Sequence, residues 1–181
     1  MIKNKISHYF PKNVKLKLFK NRDFVDIRKK RYVNFYNFSK IFEAYHFINK
    51  DFNDVNFRKF LIKNVKKFDH VIVCDFGHGL INLKLADFIT KKAKFVSANI
   101  QTNSGNRGYN LFTKYKKLDF LCIDEPELRL GLSDKNTETN DLINSLNQTK
   151  YKNIMLTQGN RGLSFKQGNK KFYGFRLLPQ I

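Results

Sequence analysis

The patterning of apolar residues predicts an α/β fold, with a parallel sheet at its centre and a strand-rich region ahead of it. Three observations carry that prediction. From residue 52 onward, short apolar runs alternate with stretches of helical spacing, the pattern of successive β-α-β units. Gly, Asn or Asp residues punctuate the boundaries of those runs, as turns require. Before residue 52 the spacing is of period two, with Tyr, Phe and Val at alternate positions, which describes strands with one polar face. The chain therefore divides into a strand-rich region, 1–51, and an α/β core, 52–181.

Taken in order, VKLKLF at 14–19, DFVDIRKKRYVNFY at 23–36 and SKIFEAYHFI at 39–48 read as strands. Val55, Phe57, Phe60, Leu61, Val65 and Phe68 then recur at helical intervals and lead into the strand HVIVC at 70–74. A helix with Ile81, Leu83, Leu85, Ala86 and Ile89 on its apolar positions precedes the strand KFVSANI at 94–100. Tyr109 to Lys116 is a short helical or looped crossover, and DFLCIDE at 119–125 is the third strand of the core. The amphipathic stretch 138–149, the strand 151–159 and a hairpin at 164–175 turning on Gly168-Asn169-Lys170 complete the pattern. Parallel sheets of this kind are covered by helices on both faces.

Lys plus Arg number 35 against 15 acids, a net charge of +20, which ordinarily points to nucleic acid or an anionic membrane. Here the excess is 27 Lys against 8 Arg, together with 21 Asn, the signature of an AT-rich coding sequence. Positive charge is spread through every segment and no nucleic-acid-binding motif is present, so nucleic acid is not expected as a partner. Cys74 and Cys122 each sit in an apolar run and read as small buried hydrophobes on strands, which is neither a zinc site nor a disulfide framework. No run approaches the ~18 apolar residues that span a bilayer, and the start lacks the apolar core of a signal peptide. A cytoplasmic protein with no membrane partner is expected.

In open α/β sheets ligands bind beyond the carboxyl ends of the strands, so the residues following each strand are the candidates. Asp75-Phe76-Gly77-His78-Gly79 places a carboxylate and two glycines in a tight turn, a ligand-facing loop or simply a capped strand-to-helix turn. Asn99, Gln101, Asn103, Asn106 and Arg107 form a run dense in amides, suited to a polyhydroxylated ligand, with Arg107 available to a phosphate. The same run is also what a turn looks like in an Asn-rich protein. Asp124 and Glu127, three apart at a helix start, suit either the water shell of a magnesium ion or the helix dipole. Thr157, Gly159 and Gly162 form a small-residue turn whose backbone amides can cradle an anion.

In their order these segments resemble the ribokinase-like, or PfkB, carbohydrate kinases, and within them the kinase part of the sugar kinase/nucleotidyltransferases of ADP-heptose synthesis. VIVCDFGHGLI is similar to the family's strand and Asp-aromatic-Gly-x-Gly turn, and DFLCIDEPELRL to its Asn-x-x-Glu strand end, with Asp124 in place of the Asn. IMLTQGNRGLSF is similar to the Thr-x-Gly-x-x-Gly turn near bound ATP. The resemblance implies a partial three-layer sandwich with a strand-rich lid over the sugar, and ATP and Mg²⁺ as cofactors. It places nucleotide and magnesium at Asp124, Glu127, Thr157, Gly159 and Gly162, Glu127 reaching the metal indirectly. Sugar or sugar phosphate would lie in the cleft of Asp75, Gly77, His78, Asn99, Gln101, Asn103, Asn106 and Arg107.

The family's N-terminal sugar-binding segment and its C-terminal Gly-Ala-Gly-Asp segment, which holds the catalytic base, have no counterpart in the 181 residues. The expectation is therefore a fragment inactive alone, with no catalytic residue of its own, which dimerises through the lid or is completed by another chain. The alternative is a basic nucleic-acid-binding or structural module without enzymatic activity.

Overall fold

The computed structural model describes residues 7–19, 27–46, 54–103, 105–146, 149–168 and 170–173. Two sheets organise them. The first is a hairpin of β1 (Arg28–Val33) and β2 (Lys40–His46), antiparallel, with Arg28 opposite His46 and Tyr32 opposite Phe42. Cross-strand pairs hold it: the rings of Tyr32 and Phe42 stack at 4.1 Å, and Glu43 meets Lys29 at 3.2 Å and Arg31 at 3.1 Å. Both strands are largely exposed. Residues 14–19, expected as a strand, belong to neither sheet; their alternating lysines leave too little apolar surface to pin a register. Parts of the other expected strands, 23–26 and 47–48, lie outside the described residues.

The second sheet has six strands: β3 (Val71–Asp75), β4 (Val96–Ile100), β5 (Leu118–Asp124), β6 (Tyr151–Thr157), β7 (Leu163–Gln167) and β8 (Lys170–Tyr173). Its spatial order is the sequence order, with β3 to β6 parallel and β7 and β8 antiparallel. The helices are α1 (Val55–Asn64), α2 (Leu83–Lys92), α3 (Glu125–Leu132) and α4 (Thr139–Ser145). Side chains fix where the first three begin. Asp54 accepts from the amides of Asn56 and Phe57, Asn82 from that of Leu85, and Asp124 and Glu127 form a reciprocal capping box.

A parallel strand that steps to its neighbour through a right-handed crossover carries its helix to one fixed face. When every step goes in the same direction, all the helices share that face. Accordingly Val73, Ala98, Leu121, Ile123, Ile154 and Leu156 are buried against Ala86 and Ile89 of α2, Leu128 of α3, and Leu142 and Ile143 of α4, with Phe112 and Tyr115 closing the core. The α/β class and the parallel sheet are as the sequence predicts. Helices on both faces are not found among the described residues. The opposite face carries Ile72, Cys74, Ser97, Asn99, Phe120, Cys122, Asn153 and Met155, and Ile72, Cys74 and Asn99 are exposed there.

The reading of both cysteines as buried is thereby corrected: Cys74 is exposed and Cys122 half-buried, because alternate residues of an apolar strand point away from the only helical layer described.

Candidate functional site

Because β3 to β6 run parallel, the loops that follow them converge on one edge of the sheet. Three are tied to one another directly. The amide of Thr102 donates to Glu127 Oε1 at 2.8 Å, joining the loop after β4 to the start of α3. Asn103 Nδ2 donates to the Phe76 carbonyl at 3.0 Å, joining it to the loop after β3. Asn106, 2% exposed, donates through Nδ2 to the carbonyls of Phe76 and Gly77 and accepts from the Asn103 amide. The amide-rich run thus uses much of its hydrogen-bonding capacity to stitch the edge together.

Asp75 ends β3 with 4% of its surface exposed. Its Oδ2 accepts from Tyr115 Oη at 2.7 Å and lies 2.5 Å from Lys114 Nζ; its Oδ1 accepts from the Gly77 amide at 3.0 Å. Lys114 also donates to the carbonyl of Ile81 at 2.9 Å and to Asn110 Oδ1 at 2.6 Å. Burial, reinforced by the Asp75 charge, pushes the Tyr115 hydroxyl far above its ordinary range. Asp75 is therefore a buried, saturated carboxylate that organises the loop behind the cleft.

Beside it opens a cavity of about 570 Å³ lined by Gly77, Gly79, Asn82, Asn106 and Asn110, with Arg58, Lys84 and Lys114 as its charged members. It holds three cations and no acid. Arg107 instead lines a cavity of about 330 Å³ with Asn103, Asp124 and Glu127. Asn99 points to the open face of the sheet, where Nδ2 donates to the Cys122 carbonyl, and Gln101 takes part through its backbone, donating to the Asp75 carbonyl.

His78 joins the hairpin to this edge: its Nε2 lies 2.6 Å from Tyr45 Oη of β2. Burial lowers the His78 pKa; the Asp75 charge opposes that and Lys29 adds to it. A histidine depressed below its ordinary 6.5 contributes stability that is present above that value and is lost as pH falls through the folded one. Acidification below pH 6.5 should therefore loosen the hairpin. Amide hydrogen exchange over residues 28–46 should accelerate there while the core amides hold, and His78→Gln, which cannot take up the proton, should remove that pH dependence.

The second cluster lies at the ends of β5 and β6, around a cavity of about 540 Å³ lined by Asp124, Glu125, Thr157, Gln158, Gly159 and Arg161 among others. Gly159–Arg161 form a 3-10 turn between glycines of positive φ, 59° and 89°. The amides of Gln158, Arg161 and Gly162 close the turn on itself, so fewer of them face outward than the small-residue spacing promised. Glu125, 6% exposed, receives Arg129, Thr139 and Arg161. Burial pushes its pKa up, but those hydrogen bonds and the Arg161 charge overcome it and hold the carboxyl below its usual range. For Glu127 burial wins over the Thr102 amide, and the carboxyl is raised.

Asp124 and Glu127 supply hard oxygens, but no group of three or more ligating side chains occurs among the described residues. They fit a magnesium ion held through its own waters. Lys114 and Tyr115 carried no signal in the sequence. Asn110, Glu125 and Arg161 carried one only by lying inside the strand-end runs 99–110, 124–127 and 157–162, without a role of their own.

No family model and no curated protein sequence matches the chain. Solved structures do. Phosphofructokinase-2 from Escherichia coli superposes with a TM-score of 0.51 at 12% identity, over 72% of this chain and 45% of that one. The protein designated Sa239 gives 0.60 at 17%, over 84% and 50%. The nucleoside kinase of Burkholderia thailandensis, solved with inosine, gives 0.52 at 11%, over 83% and 47%. The chain spans about half the length of these neighbours. Among the described residues, no helix is long and apolar enough to cross a membrane. The strand order, the shared edge and these superpositions together establish that the chain carries a ribokinase-like α/β fold, the fold of sugar and nucleoside kinases.

Proposed function

We propose that the chain is the nucleotide- and acceptor-positioning part of an ATP-dependent sugar kinase of the ADP-heptose synthesis type. The carrying observation is the stitched edge, where Thr102, Asn103 and Asn106 lock the loops after β3, β4 and β5 into one rim. Nucleotide lies against Asp124, Glu127 and the Thr157, Gly159 and Gly162 turn. Magnesium, when bound, supplies charge neutralisation at the phosphates. The acceptor sugar or sugar phosphate lies by Gly77 and Asn106, where Arg58 and Lys84 favour an anionic, hydroxyl-rich molecule. Asp75 is committed to Lys114, Tyr115 and Gly77, so it holds the rim and does not take the hydroxyl proton.

Calorimetric titration of MgATP into the chain and its Glu127→Gln variant tests this. Glutamine has one acceptor oxygen where glutamate has two, so it can take either the Asp124 amide of the capping box or the Thr102 amide but not both. That loss is opposed by the raised pKa of Glu127, whose ionisation disfavours the fold as pH rises through the folded value, and the variant should remain folded at pH 7. MgATP affinity should nevertheless fall at least about tenfold, or ~1.4 kcal/mol. Equal affinities in the two proteins, or no MgATP binding by the parent, would refute the assignment.

A further inference from the structure

Two arginines meet one buried carboxylate at the ends of β5 and β6, and they are used differently. Through Oε1, Glu125 accepts from Arg129 Nε and Thr139 Oγ1, each at 3.0 Å; through Oε2 it accepts from Gln158 Nε2 at 3.4 Å and from Arg161 Nη2. Gln158 is held in turn by Ser164 Oγ at 3.1 Å, so the acceptor is fixed from β7 as well. Arg129 is engaged in the fold: its Nη1 donates to the carbonyls of Lys135 and Thr137, its Nη2 to Thr139 Oγ1, and its side chain is 23% exposed. The Arg161 side chain is 61% exposed and hydrogen-bonds only to Glu125 among the described residues. Most of its five N–H donors therefore remain open on the wall of the cavity of about 540 Å³.

We propose that Arg161 is a phosphate contact of the nucleotide site and that Glu125 positions it. The inference rests on the nucleotide reading given above. The turn that carries Arg161 is short of free amides, since those of Gln158, Arg161 and Gly162 are engaged within it, so an anion there needs a side-chain cation. A guanidinium offers two phosphate oxygens a planar fork, and fixing it beforehand on a buried acceptor reduces the entropy lost on binding. Glu125 stays ionised at neutral pH because its hydrogen bonds and the Arg161 charge outweigh burial. Its charge is balanced by Arg129, and Asp124, the other acid on the wall, is engaged in capping α3, which leaves the Arg161 charge for a phosphate.

The test is calorimetric titration of the full chain, Arg161→Gln, Glu125→Gln and the double variant with MgATP and with magnesium tripolyphosphate, which has the phosphates without the nucleoside. Arg161→Gln should weaken both ligands at least about tenfold. Its thermal midpoint should stay within about 4 °C of the parent's, because Glu125 keeps Arg129, Thr139 and Gln158. Glu125→Gln should weaken both ligands in the parent, yet add less than about twofold in the Arg161→Gln background, since it acts through Arg161. A carboxylate that only supports the fold would lower affinity in either background, and such additive losses would overturn the positioning role. Parental affinity in Arg161→Gln, or a loss confined to MgATP, would overturn the phosphate contact while leaving the nucleotide site in place. No MgATP binding by the parent would overturn this inference together with the reading beneath it.

Discussion

Asp75→Ala should cost about 3–5 kcal/mol in folding free energy, the range for removing one partner of a buried ion pair. The Lys114 side chain is 12% exposed and would keep its charge with only the Ile81 carbonyl and Asn110 Oδ1 for company, while the Tyr115 hydroxyl would lose its acceptor. Against a typical total of about 5–15 kcal/mol, the variant should unfold at markedly lower urea, or fail to fold. Adding Lys114→Met should recover a large part of the loss, because the stranded charge goes with it. A single variant of parental stability would show that Asp75 is not a structural hub, and would make it a candidate for a catalytic base.

Gly77→Ala should cost about 2–5 kcal/mol. A β-carbon there would overlap Asn106 Nδ2 and stand 2.8 Å from Asn110 Cβ, and both asparagines are buried. Overpacking of about 1–3 kcal/mol then adds to about 1–2 kcal/mol for a φ of +69°. Gly159→Ala isolates the second contribution, since its φ is +59° and a β-carbon there meets nothing within 4 Å. It should cost about 1–2 kcal/mol. Comparing the two by urea denaturation separates crowding at the rim from backbone strain, and equal costs would contradict the packing described around Asn106.

These two positions also mark how far the sequence could be read. Alternating apolar runs and helical spacing located every core strand, and a parallel sheet brings the residues after its strands to one edge. Asp124 and Glu127 were legible as a pair because a capping box is local. Asp75 was legible as a strand-end carboxylate, but its role was not: Tyr115 lies 40 residues further on, in a crossover whose lysines look like solvated charge. Arg161 and Glu125 are 36 residues apart and meet only once β5 and β6 pair. The apolar run around Cys74 concealed the exposed face, since a strand buried on both sides and one buried on a single side can share a composition.

The order of strands in the large sheet bears on how the chain acquires its structure. Each strand pairs with the one next to it along the polypeptide, so every closure in the sheet spans only the segment between consecutive strands, at most the two helices α3 and α4 between β5 and β6. Loop-closure entropy grows with the length enclosed, and short closures favour fast folding even when the pairing is parallel. A ribosome releasing β3, α2 and β4 delivers a unit able to pair before β5 is synthesised, and each later unit extends an edge already formed. The hairpin of β1 and β2 emerges earlier still, yet its side-chain bond to the core through His78 has to wait for the loop after β3, which gives the two sheets separate places in the order of assembly.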